Sequence, residues 1–267
     1  MNSTSVITSR REGQKESTIE EIRAYWNEHI HDLEIATHPV GTLAFFKELE
    51  EYRFDKLRYL LKVVDFSSYA GKELLEVGCG VGIDLARFAQ AGAIVTGIDL
   101  AENSVALAQK YFEHLGLKAS FQIMNGELVD FGDGSFDVVY AHGVLQYTPN
   151  PQKMIDEICR VLRPGGEAVL MVYNRYSWLN LLSAIMKVDL EHADAPALRK
   201  YSIGQFKDML KPFSSAKIFT ERFPVRTRLH HGLKAQVYNQ VFVGAFNRLP
   251  RTLIRPFGWH ILAFAYK

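Results

Sequence analysis

Cysteine is scarce: Cys79 and Cys159 are the only two in 267 residues. Two such isolated thiols exclude a disulfide scaffold and any CxxC redox or zinc pair. No uninterrupted apolar run reaches the roughly 18–20 residues needed to span a bilayer. The polar start, Met1 to Thr18, carries no apolar stretch resembling a signal peptide. Net charge is nearly absent as well, with 31 Lys+Arg against 30 Asp+Glu leaving +1. No global field points to nucleic acid, and no basic groove with interleaved aromatics does so locally. These absences lead to the expectation of a soluble, cytoplasmic protein. What is present is 48% apolar and 23% charged, enough to bury a sizeable core. The length fits a single α/β unit with insertions.

The expected organisation is a loose tail over residues 1–17, an N-terminal helical cap over 18–70, and a main domain over 71–267. Ser17 and Thr18, followed three residues later by Glu20 and Glu21, read as overlapping capping boxes opening a helix. A second helical stretch over Leu43 to Val64 presents Phe45, Phe46, Leu49, Phe54, Leu57, Leu60 and Leu61. From Lys72 the pattern changes to strands alternating with helices. ELLEVG, AIVTGID, ASFQIMN, FDVVYA and EAVLMVY read as strands, with helices between. The implied fold class is α/β: a doubly wound, mostly parallel, seven-stranded Rossmann-like sheet. KIFTERF and WHILAFAY supply the last two strands, an antiparallel pair at the sheet edge. Residues 174–200 and 224–257 are helical cap insertions.

The strongest chemical signal is Glu76-Val77-Gly78-Cys79-Gly80-Val81-Gly82, between the first strand and its helix, with Asp99 ending the second strand. Gly78 and Gly80 permit a tight turn and close approach of a ligand. Asp99 at a strand tip can accept both hydroxyls of a ribose. The spacing is GxGxG, since Ile83 follows Gly82, whereas a dinucleotide fingerprint wants GxGxxG. Glu76 would sit where pyrophosphate is unwelcome and suits a ligand bearing an ammonium group. A plain strand-to-helix turn needs no acid at either of the two positions.

LLEVGCGVGIDLARFAQAGAIVTGIDLAENSVALAQ resembles the first two motifs of class I S-adenosylmethionine-dependent methyltransferases. DGSFDVVYAHGVLQYTPNPQKMIDEICRVLRPGG is similar to the later motifs of their UbiE-like small-molecule branch. The resemblance implies S-adenosyl-L-methionine as cofactor and a small-molecule methyl acceptor. It places Glu76, Gly78 and Gly80 at the methionine end, Asp99 on the ribose and Leu100 against the adenine. Asn125 stands where the family usually has Asp, and Gly126 would offer its N–H to the ring. Ala141 and His142 would pass beside the sulfonium, and Tyr25, on an N-terminal helix, would contact the sulfonium or carboxylate.

Methyl transfer by in-line displacement needs a base only if the acceptor must first lose a proton. His142 is the leading candidate, weighed against a structural histidine, and Tyr147 with Gln146 could orient a polar acceptor. Arg53 could reach the methionine carboxylate, although a solvated helix face is the simpler reading. His29 and His31 do not share a helical face, so no metal is expected. From Arg222 to Lys267 there are eight Lys/Arg and no Asp or Glu. Leu233, Val237, Val241 and Ala245 form one helical stripe there, with Tyr238, Phe242, Phe246 and Leu249 beside it. This basic region is either a substrate cover with a candidate peripheral membrane contact or an extra packed helix. The oligomeric state is not legible. The rival readings are an NAD-type Rossmann oxidoreductase and a non-catalytic S-adenosylmethionine-binding module.

Overall fold

The computed structural model describes residues 18–30, 32–187, 190, 192–224, 240, 243–246 and 248–267. Helix α1 (Ile19–Glu28) opens on a reciprocal capping box between Thr18 and Glu21, as the spacing of those residues requires. The second helical stretch is not continuous. It divides into α2 (Leu43–Lys56) and α3 (Leu60–Val63), with no proline or glycine at the break. The turn buries Leu57 and Leu60 together and delivers Tyr59 into the interior, so tertiary packing overrides local helix preference.

The remaining elements follow the alternating order: β1 (Glu73–Val77), α4 (Ile83–Gln90), β2 (Ile94–Asp99), α5 (Glu102–Leu115), β3 (Ser120–Ile123) and β4 (Phe136–His142). Next come α6 (Pro151–Val161), β5 (Leu162–Tyr173), α7 (Trp178–Met186), α8 (Ile203–Met209), β6 (Ser215–Glu221) and β7 (His260–Tyr266). The seven strands form one sheet in the order β3-β2-β1-β4-β5-β7-β6. All pairs are parallel except those made by β7, which runs antiparallel to both β5 and β6. The final strand thus inserts between its predecessors, and β6 is the edge. Pro164-Gly165-Gly166 lie within β5 at a register shift against β4, where their composition alone favours a turn.

Both faces of the sheet are covered. One cluster joins Phe45, Phe46 and Leu49 of α2 with Leu74, Phe88 and Tyr140. The other joins Leu75, Val139 and Leu170 with Ile155, Ile158 and Phe206. The N-terminal helices therefore share the core of the main domain. Strand order reverses beside β1, so the carboxyl ends of β1, β2 and β4 open onto one crevice, where ligands of such sheets bind. Leu233, Val237, Tyr238, Val241 and Phe242 lie outside the described residues. Among the described residues, no helix is long and apolar enough to cross a membrane.

Close packing under the crevice rests on Gly97 in β2. A Cβ there would lie 2.8 Å from Leu85 Cδ2, 2.9 Å from Phe121 Cε1 and 3.0 Å from Cys79 Sγ. Gly97→Ala is expected to cost about 1–3 kcal/mol through overpacking, read as a lowered denaturation midpoint.

Candidate active site

The chain turns sharply after β1, with Gly78 at φ +72° and Gly80 at φ +52°, conformations that favour glycine. A Cβ on Gly78 would lie 2.8 Å from Val144 Cβ, while one on Gly80 would meet nothing within 4 Å. Gly78 is thus fixed by packing, and the space above Gly80 belongs to the crevice. The Gly80 N–H donates to Asp99 Oδ2 at 2.8 Å and the Ala101 N–H to Asp99 Oδ1 at 2.9 Å. Each oxygen keeps acceptor capacity for a further donor. Burial raises the Asp99 carboxyl above its usual value, against the lowering effect of these backbone N–H groups.

Glu76, next to last in β1, lies on the crevice wall, 4% exposed, and among the described residues its Oε2 has no hydrogen-bond partner. Burial, then the charge of Asp84, holds its carboxyl well above the usual range. Asp84, in the first turn of α4, is also buried but has partners. Arg53 Nε donates to Asp84 Oδ1 at 2.5 Å, its Nη2 donates to Oδ2, and the Tyr140 hydroxyl donates to Oδ2 at 2.8 Å. Burial alone would raise Asp84; the Arg53 charge and its hydrogen bonds outweigh it and hold the carboxyl below its usual value. Arg53 therefore lies neither on a solvated face nor free for a ligand carboxylate.

A buried chain of contacts runs from Arg53 across the top of the sheet. Arg53 Nη2 lies 3.4 Å from His142 Nδ1, Tyr59 Oη lies 2.9 Å from His142 Nε2 and 2.5 Å from His260 Nδ1, and Arg222 Nη1 lies 3.0 Å from His260 Nε2. Guanidinium groups only donate. Arg222 therefore donates to His260 Nε2, and a neutral His260 donates its Nδ1–H to Tyr59 Oη.

The surroundings of His142 bear on the expectation of a general base there. Its ring lines the crevice, with Arg53 Nη2 facing Nδ1 and Tyr59 Oη facing Nε2. Burial first, then Arg53, depresses its pKa to about 3, so the imidazole is neutral and a weak base. Tyr147 also lines the crevice, its hydroxyl donating to the Tyr173 hydroxyl at 3.3 Å. Gln146 is fully buried behind the wall, its side-chain amide without a partner.

Leu100, Asn125 and Gly126 line the crevice beside Asp99. Asn125 Oδ1 already accepts from the Glu127 N–H at 2.9 Å. Ala141 is buried beneath His142. Of the N-terminal aromatic pair, Trp26 lines the crevice. Tyr25 turns outward instead, its hydroxyl donating to Asp194 Oδ1 at 3.0 Å and its ring stacked on His29. The sequence pattern gave no signal for Tyr59, His260 or Arg222, which come from a helix break, the last strand and a loop. Asp84 was legible only as a helix-start acid.

The neutral histidines have a stability consequence. Above pH 6.5, the ordinary histidine value, imidazole is uncharged in folded and unfolded chains alike. Below it the unfolded chain takes up a proton that the folded chain refuses, so stability falls toward about pH 3. By pH 5 the loss from His142 is about 2 kcal/mol. The melting temperature is expected to drop between pH 7 and pH 5, with a shallower drop in His142→Gln.

Residues 75–170 match the family described as "Methyltransferase domain". The chain is 31% identical over 120 residues to the ubiquinone biosynthesis O-methyltransferase of Coxiella burnetii (strain Dugway 5J108-111), covering 45% of this chain and 50% of that one. It is 38% identical over 109 residues to the enzyme of the same name from Dechloromonas aromatica (strain RCB), covering 40% and 47%. The chain spans about half the length of these curated relatives. Among solved structures, magnesium protoporphyrin IX methyltransferase from Synechocystis PCC 6803 with bound SAH superposes at a TM-score of 0.57 with 17% identity, covering 92% of this chain and 98% of that one. YcgJ from Bacillus gives 0.55 with 17% identity, covering 80% and 98%; likeness at this level concerns the fold. The orphaned buried acid at Glu76, the open space over Gly80 and the spare acceptor capacity of Asp99 fit S-adenosylmethionine. Over residues 75–170 the chain is similar to methyltransferase domains, and its seven-stranded sheet has the fold of those solved structures.

Proposed function

We propose that the protein transfers the methyl group of S-adenosylmethionine to a small-molecule acceptor. The observation that carries this reading is the unpartnered, buried Oε2 of Glu76. A buried carboxyl group without a partner is, once ionised, a costly neighbour for a pyrophosphate and a ready partner for an ammonium group. Asp99 would receive the ribose hydroxyls, with Leu100, Asn125 and Gly126 around the adenine.

S-adenosylmethionine, when bound, supplies an electrophilic methyl group. The chain's own work is to orient the two reactants and to exclude water. Trp26 and Ile22 of α1 close the crevice from above, and Met171 and Tyr173 of β5 line its far side. His142 is then a positioning residue, held neutral within the network that links the cofactor side to β7.

A finer part of the reading concerns location, a cytoplasmic enzyme meeting the membrane surface. Leu181 and Ile185 of α7 are 65% and 69% exposed, and residues 222–267 contain eight Lys/Arg and no acid. Such a pairing of apolar side chains with basic charge suits an anionic bilayer surface. Cosedimentation with vesicles containing phosphatidylserine should exceed that with purely zwitterionic vesicles, and Leu181→Glu with Ile185→Glu should abolish the excess. Equal sedimentation with both lipids would remove this part of the proposal.

The central test is calorimetric. Replacing a buried charge-assisted contact costs about 1.5–3 kcal/mol, so Glu76→Gln should weaken S-adenosylmethionine binding ten- to a hundredfold without lowering the melting temperature. Asp99→Ala should weaken it comparably. Binding by the wild type should release protons and tighten as pH rises, because the ligand's cation favours the ionised form of Glu76. Undiminished affinity in both variants, or tighter binding of NAD, would refute the assignment.

A further inference from the structure

Arg53, Lys56 and Arg222 are the cationic side chains that line the crevice among the described residues. Two of them face carboxylates: Arg53 meets Asp84, and Lys56 Nζ lies 2.8 Å from Asp32 Oδ1. Arg222 differs. Its side-chain contact is with the His260 imidazole at 3.0 Å, and no carboxylate of the described residues lies within ion-pair distance of it. The chain from Arg222 to the last residue contains neither Asp nor Glu. His260 stays neutral, held well below its usual value by burial and then by Arg222 itself, so it supplies no opposite charge.

The backbone at Arg222 is unusual as well. Its φ of +59° lies in the left-handed region, which a long side chain adopts only when its surroundings enforce it. The enforcement is visible. Trp178 Nε1–H donates to the Arg222 carbonyl at 2.9 Å, and the Trp259 N–H donates to the same oxygen at 3.3 Å. Two tryptophans thus pin a strained turn whose result is a guanidinium aimed into the crevice. Tyr173 stacks on both His260 and Trp259 beside it, giving an aromatic wall next to the charge.

The cofactor does not account for this group. Arg222 follows β6 and abuts His260 of β7, whereas Glu76 lies in β1. The strand order puts β4 and β5 between β1 and β7, three strand spacings or about 14 Å between backbones. The ammonium and carboxylate of one amino-acid head share a single carbon. A head whose ammonium is held at Glu76 therefore keeps its carboxylate at the β1 end of the crevice.

We infer that the methyl acceptor carries a carboxylate on an aromatic or apolar body, and that Arg222 receives this carboxylate at the β6–β7 end of the crevice. The inference rests on the methyltransferase reading above and names its substrate class. A guanidinium matches a planar carboxylate through two parallel N–H donors, and the neutral His260 ring beside it adds no opposite charge of its own. The acceptor half of the crevice thereby complements the cofactor half, one awaiting an anion and the other a cation.

The test uses the full chain saturated with S-adenosylhomocysteine. Calorimetry and saturation-transfer NMR would compare 4-hydroxybenzoate with 4-hydroxybenzamide, 3-phenylpropionate with its amide, and phenylphosphonate. Each acid is expected to bind at least tenfold more tightly than its amide. Arg222→Gln and Arg222→Gly should erase that preference while leaving S-adenosylhomocysteine affinity within twofold. Arg222→Gly also relieves the positive φ, so its melting temperature should equal or exceed that of the wild type, which separates lost recognition from lost folding. No preference for acids in the wild type, including no binding by any probe, would overturn the inference. So would a preference that survives Arg222→Gln, tighter binding of phenylphosphonate, or loss of S-adenosylhomocysteine affinity in the Arg222 variants. A wild type that binds no S-adenosylhomocysteine would instead overturn the methyltransferase reading beneath it.

Discussion

One buried cation stands between two buried acids, and the crevice is organised around that imbalance. Arg53 reaches from α2 to Asp84 at the start of α4, where Tyr140 of β4 adds a third contact. Glu76 lies close enough for the charge on Asp84 to raise its pKa. In a low-dielectric interior a single guanidinium cannot fully compensate both carboxylates. The structure satisfies Asp84 and leaves Glu76 without a partner at Oε2. That leaves a site whose electrostatics are completed by a ligand cation.

The same pair explains why the N-terminal helices are part of the domain. Removing one partner of a buried ion pair strands the other in the interior, so α2 is bound to α4 by more than its apolar face. Phe45, Phe46 and Leu49 add to this by entering the cluster around Leu74 and Phe88. With α2 fixed, the break before α3 swings Tyr59 between His142 and His260. The cap thereby contributes a link to a polar chain whose other members come from β4, β7 and the loop after β6. Tyr59, His142 and His260 are tolerated at this depth because they meet one another and the flanking arginines.

The two ends of that chain differ in kind. At Arg53 the guanidinium is neutralised, and the cofactor side presents its unpaired acid. Among the described residues, the Arg222 guanidinium meets the neutral His260 imidazole, with aromatic rings alongside. The histidines between them stay uncharged because burial and the flanking cations both oppose protonation. A neutral middle lets the ends keep opposite requirements within one crevice.

The alternation of short apolar runs with amphipathic helices, and glycines where the backbone needs positive φ, fixed the sheet class in advance because these are local periodicities. The acids at Glu76 and Asp99 were legible for a similar reason: strand tips flanking a glycine turn have a definite place in such a sheet. The break at Leu57, the extension of β5 through Gly165, and the outward turn of Tyr25 were not legible, since each reflects a long-range contact overriding local preference. Arg53 looked like a surface residue because its partner, Asp84, lies thirty-one positions away. His142, Tyr59, His260 and Arg222 span most of the chain, and nothing in their local sequence marks them as neighbours. Only the folding of β7 between β5 and β6 brings them into one chain of contacts, where burial and the flanking cations keep both imidazoles neutral.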